Sequence, residues 1–195
     1  MSAILCNVAW LFSLAASWTV SERKIGSSAS TLDFKVVYDE HFQFAWRSLR
    51  GLGVSTHDID DAAQEVFLIV HRKLDTITEP NGIKSWIFSI VRRVASDYRR
   101  SRKRKGISVE YDDSITAIDT ATPQNAVENR EVLSLVEQYL DTLTDETRSM
   151  FVLSEIEQLP VSKISEILEM NSNTIYSRLR VTRKNMESFM ARSNV

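Results

Sequence analysis

The chain is predicted to be all-α, two small helical domains joined by a flexible acidic linker, and three observations carry that reading. First, its 195 residues hold only five glycines and three prolines among long runs of helix formers. Second, apolar residues recur at three- and four-residue spacing through most of the chain, which is the signature of helices with one buried face. Third, residues 106–127 break that periodicity. They are acidic, rich in Ser, Thr and Ala, and contain Pro123. A chain of this length buries a real core as one or two domains, and its ordinary apolar content excludes a disordered polymer.

Taken in order, residues 1–31 form an N-terminal extension. Its first twenty residues are apolar, but they lack a basic segment ahead of the apolar run. Ser2, Asn7, Ser13, Ser17 and Thr19 interrupt them. We read an extension arising from a mis-assigned start, disordered or packed on the surface, in preference to a membrane tether. Ser27 to Thr31 then serve as a short linker. The first domain spans 32–105. Its opening helix carries Phe34, Val37, Tyr38, Phe42, Ala45, Trp46 and Leu49 on one face and ends at Gly51 and Gly53. A second helix is predicted from Ser55 or Thr56, with Asp58, Asp60 and Asp61 in its first turn, where the helix dipole favours anions. It continues through Ala62, Val66, Phe67, Ile69, Val70 and Leu74. After a loop at Glu79-Pro80-Asn81-Gly82, a third helix runs from Ile83 or Ser85 to about Arg102, striped by Trp86, Ile87, Ile90, Val91, Val94, Ala95 and Tyr98.

Beyond the linker, the second domain is placed at 128–192. Val132, Leu135, Val136, Tyr139, Leu140 and Leu143 make one amphipathic helix. Thr144 caps the next, with Asp145 and Glu146 in its first turn and Met150, Phe151, Leu153 and Ile156 facing inward. Pro160 opens a short helix that buries Ile164, Ile167 and Leu168. After a polar turn, a final helix shows Tyr176, Ser177, Arg180, Arg183 and Lys184 on its outer face. That layout is a helix-turn-helix, whose second helix enters a DNA major groove.

The net charge of −2 hides a strong segregation. Arg92, Arg93, Arg99, Arg100, Arg102, Lys103, Arg104 and Lys105 face only Asp97 within their stretch, whereas residues 106–146 carry ten acids against the single Arg130. Eight cations exceed what a helix C-terminus needs, so this stretch reads as a phosphate-binding surface, with Trp86 and Tyr98 available to stack or wedge bases. The alternative for those aromatics is the core. The acids from Asp58 to Glu65 are explained by a helix start, and nothing elsewhere completes a metal-dependent nuclease site around them. Asp61, Gln64 and Glu65 form a polar ridge fit to meet a basic protein surface. His41, His57 and His71 have no ligand spacing, and no nucleophilic triad or Gly-rich phosphate loop is present. Neither a metal, a cofactor nor a small-molecule substrate is indicated. The lone Cys6 excludes an internal disulfide and fits a reducing, cytoplasmic setting.

Three segments, in this order and spacing, resemble the sigma-70 family of bacterial RNA polymerase initiation factors, specifically its small extracytoplasmic-function (ECF) type. Asp61-Ala62-Ala63-Gln64-Glu65-Val66-Phe67 is similar to the family's Asp-(any two)-Gln-Glu-(any)-Phe signature. Ser85 to Arg100 resembles its promoter-melting helix, and Leu140 to Met186 its C-terminal domain. The resemblance implies that Asp61, Gln64, Glu65 and Phe67 bind the clamp of core RNA polymerase, with the second domain on the flap of the second large subunit. It implies −10 DNA contacts, double- and single-stranded, by Lys84, Trp86, Arg92, Arg93, Asp97, Arg99, Arg100, Arg102 and Arg104, together with the loop 77–84. It implies −35 contacts by Thr174, Tyr176, Ser177, Arg178, Arg180, Val181, Arg183 and Lys184, an anti-sigma protein as a further partner, and no catalysis. Departures are local. Pro160 replaces a usual Ser, Arg93 stands where some relatives have an amide, and the turn has Glu169-Met170-Asn171 without glycine, Asn171 being the residue suited to a left-handed conformation. The competing readings are a free-standing helix-turn-helix regulator, for which no dimer helix is evident, and a nuclease.

Overall fold

The computed structural model describes residues 32–77, 82–105, 132 and 134–193, and all regular structure among them is helical. The extension 1–31, the segment 106–127 read as a linker, and Glu79-Pro80-Asn81 of the predicted loop lie outside the described residues.

Helix α1, Phe34–Gly51, starts where the Asp33 carboxylate accepts a hydrogen bond from the Lys35 backbone N–H, satisfying a donor the helix cannot. It stops because Gly53 adopts φ +92°, a conformation open to glycine but strained for other residues. Helix α2, Ile59–Lys73, begins about three residues later than predicted. Ser55 and Asp58 instead close a turn, the Ser55 hydroxyl donating to the Asp58 carboxylate and accepting from the Asp58 N–H, so both are used before the helix begins. A short 3-10 turn, Leu74–Thr76, follows. Helix α3, Ile83–Arg104, carries the basic stretch in its second half. The three pack around Ala45, Leu49, Ala62, Val66, Val70, Ile87, Val91 and Ala95, all closed to solvent, as the helical stripes require. Phe44 and Phe88, which meet ring to ring, belong to the same core, although Phe44 lay outside the predicted stripe of α1.

The second unit starts with helix α4, 134–141. Helix α5, Asp145–Phe151, is capped by Thr144, whose hydroxyl accepts from the Thr147 N–H, as predicted. Without a break it widens into a π-helical segment, Val152–Ile156. Helix α6, Val161–Leu168, follows Pro160. Helix α7, Ser172–Arg192, is capped by Asn171, whose side chain accepts from the Asn173 N–H. Ile164 is buried, but Ile167 and Leu168 are only half-buried. The turn between α6 and α7 corrects one expectation: Glu169, not Asn171, takes the left-handed conformation (φ 54°), leaving Asn171 free to cap. The Ser165 hydroxyl, donating to the Met170 carbonyl, ties the turn down.

The two units pack against each other. The C-terminal end of α1 meets the π segment, and α3 meets α6. Arg148 from α5 is 3 % exposed; its Nε donates to the Gly51 carbonyl at 2.9 Å and its Nη1 to Asp141 at 2.7 Å. A guanidinium thereby satisfies an otherwise unpaired carbonyl at the end of a helix in the other unit. Arg47 and Glu157 form a two-pronged pair at 3.0 and 2.8 Å, with the Glu157 side chain 3 % exposed.

Candidate nucleic-acid interface

Helix α3 turns its apolar stripe into the first unit, so its cations fall on the far side. Arg93, Arg100, Lys103, Arg104 and Lys105 are exposed, whereas Arg92, Arg99 and Arg102 are half-buried. Arg92, Arg93, Arg99 and Arg100 line a cleft of about 460 Å³, closed on its other side by Leu52 and by Asp145 and Ser149 of α5. Within it Asp97 is exposed, and Arg99 is held by Asp145 at 2.5 Å. Four guanidinia against two carboxylates leave a positive cleft suited to a phosphate chain.

Three side chains of this helix read as available to DNA, Trp86, Tyr98 and Lys84, are turned inward. Trp86 and Tyr98 are half-buried and pack against the core, so they support the helix more than they display rings from it. Burial raises the Tyr98 phenol above its ordinary pKa, and the carboxylates of Glu65, Asp61 and Asp58 add to the effect, which sets Tyr98 beside the acidic start of α2. Lys84 is turned inward, its ammonium 4.5 Å from the centre of the Phe44 ring. Burial lowers its pKa, with Glu157 opposing that shift and Arg47 adding to it. The same burial, with Lys84 nearby, depresses His41 to about 4.

On α2, Asp61, Gln64 and Glu65 stand in solvent as one ridge. Leu68, one turn further on and 50 % exposed, extends it, which the sequence reading missed. The spacing of Leu68, three residues after Glu65, four after Gln64 and seven after Asp61, was the available signal, since the stripe of α2 passes through Val66, Phe67 and Val70 instead. Phe67 does not stand on the ridge. It is 3 % exposed, with its ring centre 4.8 Å from that of Tyr38 and 5.8 Å from that of Phe42. It therefore holds the ridge from beneath. The neighbouring acids have structural partners, Asp58 with the Ser55 hydroxyl and Asp60 with the Trp46 indole N–H.

Helix α7 buries Ile175, Leu179, Thr182, Met186 and Met190. Its opposite face exposes Tyr176 (61 %), Ser177, Arg180, Val181 (57 %) and Lys184. Guanidinium and ammonium donors flanked by an exposed valine and tyrosine are what a major groove takes, donors for guanine edges and phosphates, apolar groups for thymine methyls. Thr174 is half-buried, with its carbonyl accepting from the Ser177 hydroxyl. Two predicted readers are engaged inside the unit. Arg178 pairs with Glu146, and Arg183 donates to Glu155 at 2.6 Å and to the Ser154 hydroxyl at 3.0 Å. These contacts set the helix on its support, while the exposed Arg178 and the half-exposed Arg183 keep further guanidinium donors turned to solvent.

Two separate basic surfaces on helical units of one chain define a bipartite nucleic-acid-binding protein. Residues 37–105 match Sigma-70 region 2 and residues 133–186 match Sigma-70, region 4, so the two matches fall on the two units. The chain is 25 % identical over 171 residues to the ECF RNA polymerase sigma factor SigW of Bacillus subtilis, covering 82 % of this chain and 88 % of that one. It is 27 % identical over 151 residues to the ferric citrate uptake sigma factor FecI of Escherichia coli, covering 76 % and 86 %. Its fold is similar to that of the sigma factor RpoE solved with the anti-sigma factor NepR from Bartonella quintana, at a TM-score of 0.62 and 18 % identity over 82 % of this chain and 97 % of that one. It is likewise similar to CnrH solved with the cytosolic domain of CnrY, at 0.59 and 18 % over 81 % and 87 %. The chain belongs to the sigma-70 family of RNA polymerase initiation factors, in its ECF subfamily. It is a transcription initiation factor and not a free-standing regulator. Among the described residues no helix is long and apolar enough to cross a membrane.

Proposed function

We propose the following division of labour among the side chains. The α2 ridge of Asp61, Gln64, Glu65 and Leu68, backed by Phe67, docks on the clamp of core RNA polymerase, while the second unit reaches the flap. Arg92, Arg93, Asp97, Arg100, Arg102 and Arg104 on α3 track the −10 strand as it melts, joined by Lys84 and Arg99 once these are released. Tyr176, Ser177, Arg180, Val181 and Lys184 on α7 read the −35 element. The first domain is taken as 32–105 and the second as 128–192. The observation that carries the reading is the exposed face of α7, mixed cationic and apolar over a sealed apolar back, on the same chain as the cationic α3. The protein works in the cytoplasm, supplies binding and DNA opening while the polymerase supplies the chemistry, and is bound by an anti-sigma protein, a reading supported by the complex of the sigma factor RpoE with the anti-sigma factor NepR.

Run-off transcription with core polymerase over a genomic promoter library tests the proposal. The chain is expected to direct initiation from a defined subset of promoters; failure to initiate from any would refute it. Asp61→Arg places a cation on an exposed ridge position and is expected to abolish core binding while leaving the helical circular dichroism unchanged and costing only about 0.5–1 kcal/mol of stability through the helix dipole. Unaltered core affinity would remove the ridge from the polymerase interface.

A further inference from the structure

The cleft between α3 and α5 holds more cationic donors than the protein itself uses. Arg99 is paired with Asp145, but Arg92, Arg93 and Arg100 make no hydrogen bond or ion pair among the described residues. Arg92 is half-buried, so its guanidinium has given up part of its water without gaining a partner. Beside these three stands one carboxylate that likewise has no partner among the described residues, Asp97. Leu52 and Ala95 give the cleft an apolar floor, and Ser96 adds a half-buried hydroxyl. Its volume of about 460 Å³ is that of a small-molecule pocket, the usual range being about 300–1,000 Å³.

These groups select their occupant. Guanidinia only donate, and their planar forks match phosphate oxygens two at a time. Arg92 and Arg100 stand eight residues apart on α3, about 12 Å along its axis, so a ligand that meets both is an extended polyanion and not a single phosphate. A bare phosphate chain would lie against the carboxylates of Asp97 and Asp145, which repel it. Carboxylates accept hydrogen bonds, so the end of the ligand beside them carries N–H or O–H donors. A nucleoside polyphosphate has both ends, acceptor oxygens along its phosphates and hydroxyl and amino donors on its sugar and base. We propose that the cleft between α3 and α5 binds a nucleoside polyphosphate as an effector, with Arg92, Arg93 and Arg100 on its phosphates and Asp97 on a donor of its nucleoside end. The same arginines are assigned to the −10 strand, so a chain holding the effector does not hold the strand there. That consequence rests on the proposed function, whereas the site itself does not.

Isothermal titration calorimetry of the full chain, without polymerase or magnesium and at about 0.15 M salt, tests the site. The probes are ATP, GTP and inorganic triphosphate. Saturable one-to-one binding of ATP or GTP is expected, about tenfold tighter than that of triphosphate, which has no donor for Asp97. Arg92→Gln should weaken nucleotide binding about tenfold. Asp97→Ala removes a negative charge and by charge alone favours every anion; the expected result is instead that the preference for nucleotide over triphosphate falls about fivefold. Asp97 is exposed and alanine suits a helix, so this second variant keeps the fold. Absence of saturable binding of both nucleotides overturns the inference. So does a parent chain that takes triphosphate as tightly as nucleotide, or an Asp97→Ala chain whose preference is unchanged, since either makes the cleft a patch for any polyanion. A chain that binds nucleotide yet never initiates with core polymerase would sink the proposed function and leave this site standing.

Discussion

Replacing Gly51 with alanine tests the packing of the two units through the sign of its effect. Gly51 is the last residue of α1 and is buried, and its φ is not positive, so alanine meets no backbone strain. In an isolated helix end the change would stabilise by about 0.5–1 kcal/mol, through lower unfolded-state entropy. Here the new Cβ would stand 2.6 Å from Ile156 Cδ1 and 2.9 Å from Val152 Cγ2, against about 3.5–4.0 Å for an unstrained carbon contact. The Ile156 tip has room to swing, but Val152 is fully enclosed and stiff at its branched carbon. Overpacking of this kind costs about 1–3 kcal/mol, so the net expectation is a loss of about 1–2 kcal/mol. Urea unfolding followed by tryptophan fluorescence measures it, Trp46 and Trp86 both lying in the first unit. Ile156→Val removes the closest atom, and in the double variant the two losses should fall short of additivity by at least about 0.5 kcal/mol. A stabilised Gly51→Ala would show that α1 does not end against the π segment, and the reasoning on the interface would fall with it.

Other expectations follow from single groups. Ser48 is buried with a hydroxyl that has no hydrogen-bond partner among the described residues, so Ser48→Ala should raise stability by about 1 kcal/mol in the same assay. Tyr139, 5 % exposed, donates its hydroxyl to the Thr182 carbonyl at 2.7 Å; Tyr139→Phe removes that second bond, the carbonyl keeping its helical partner, and should lower stability by about 0.5–1 kcal/mol. His41 takes a proton at about pH 4 when folded but near 6.5 when unfolded, so the unfolded chain binds the extra proton between those values and stability falls as pH drops through that window. Allowing for its partial solvent exposure, the loss is about 1–2 kcal/mol, and urea midpoints at pH 7 and pH 4.5 should converge in His41→Gln relative to the parent.

How far the sequence could be read depended on whether a signal was local. The stripes of α1 to α3, the Thr144 cap and the outer face of α7 are written in short-range spacing and came through. The inward turn of Lys84, named only as a −10 contact, and the buried role of Arg148, on which the sequence offered no reading, were not legible, because what holds each inside lies on another element: the Phe44 ring for one, the Gly51 carbonyl and Asp141 for the other. Arg178 and Arg183 looked like free donors for the same reason, since Glu146 and Glu155 stand 32 and 28 residues away. Phe67 belongs to a motif that suggested contact with a partner, yet the aromatic neighbours that enclose it come from α1. The left-handed Glu169 could not be foreseen by residue preference, because Asn171 was the better candidate and was already needed as a cap.

The π-helical segment Val152–Ile156 fixes the rotational phase of everything after it. Each residue of an α-helix advances the chain by about 100°, so deleting a single residue there would restore a regular helix at the expense of turning Glu157 and all that follows about a quarter-turn away. The face that now looks toward Arg47 would look elsewhere, and the helix-turn-helix would be carried around with it. In this protein the aim of α7 is set by one extra residue in the helical segment that ends at Ile156.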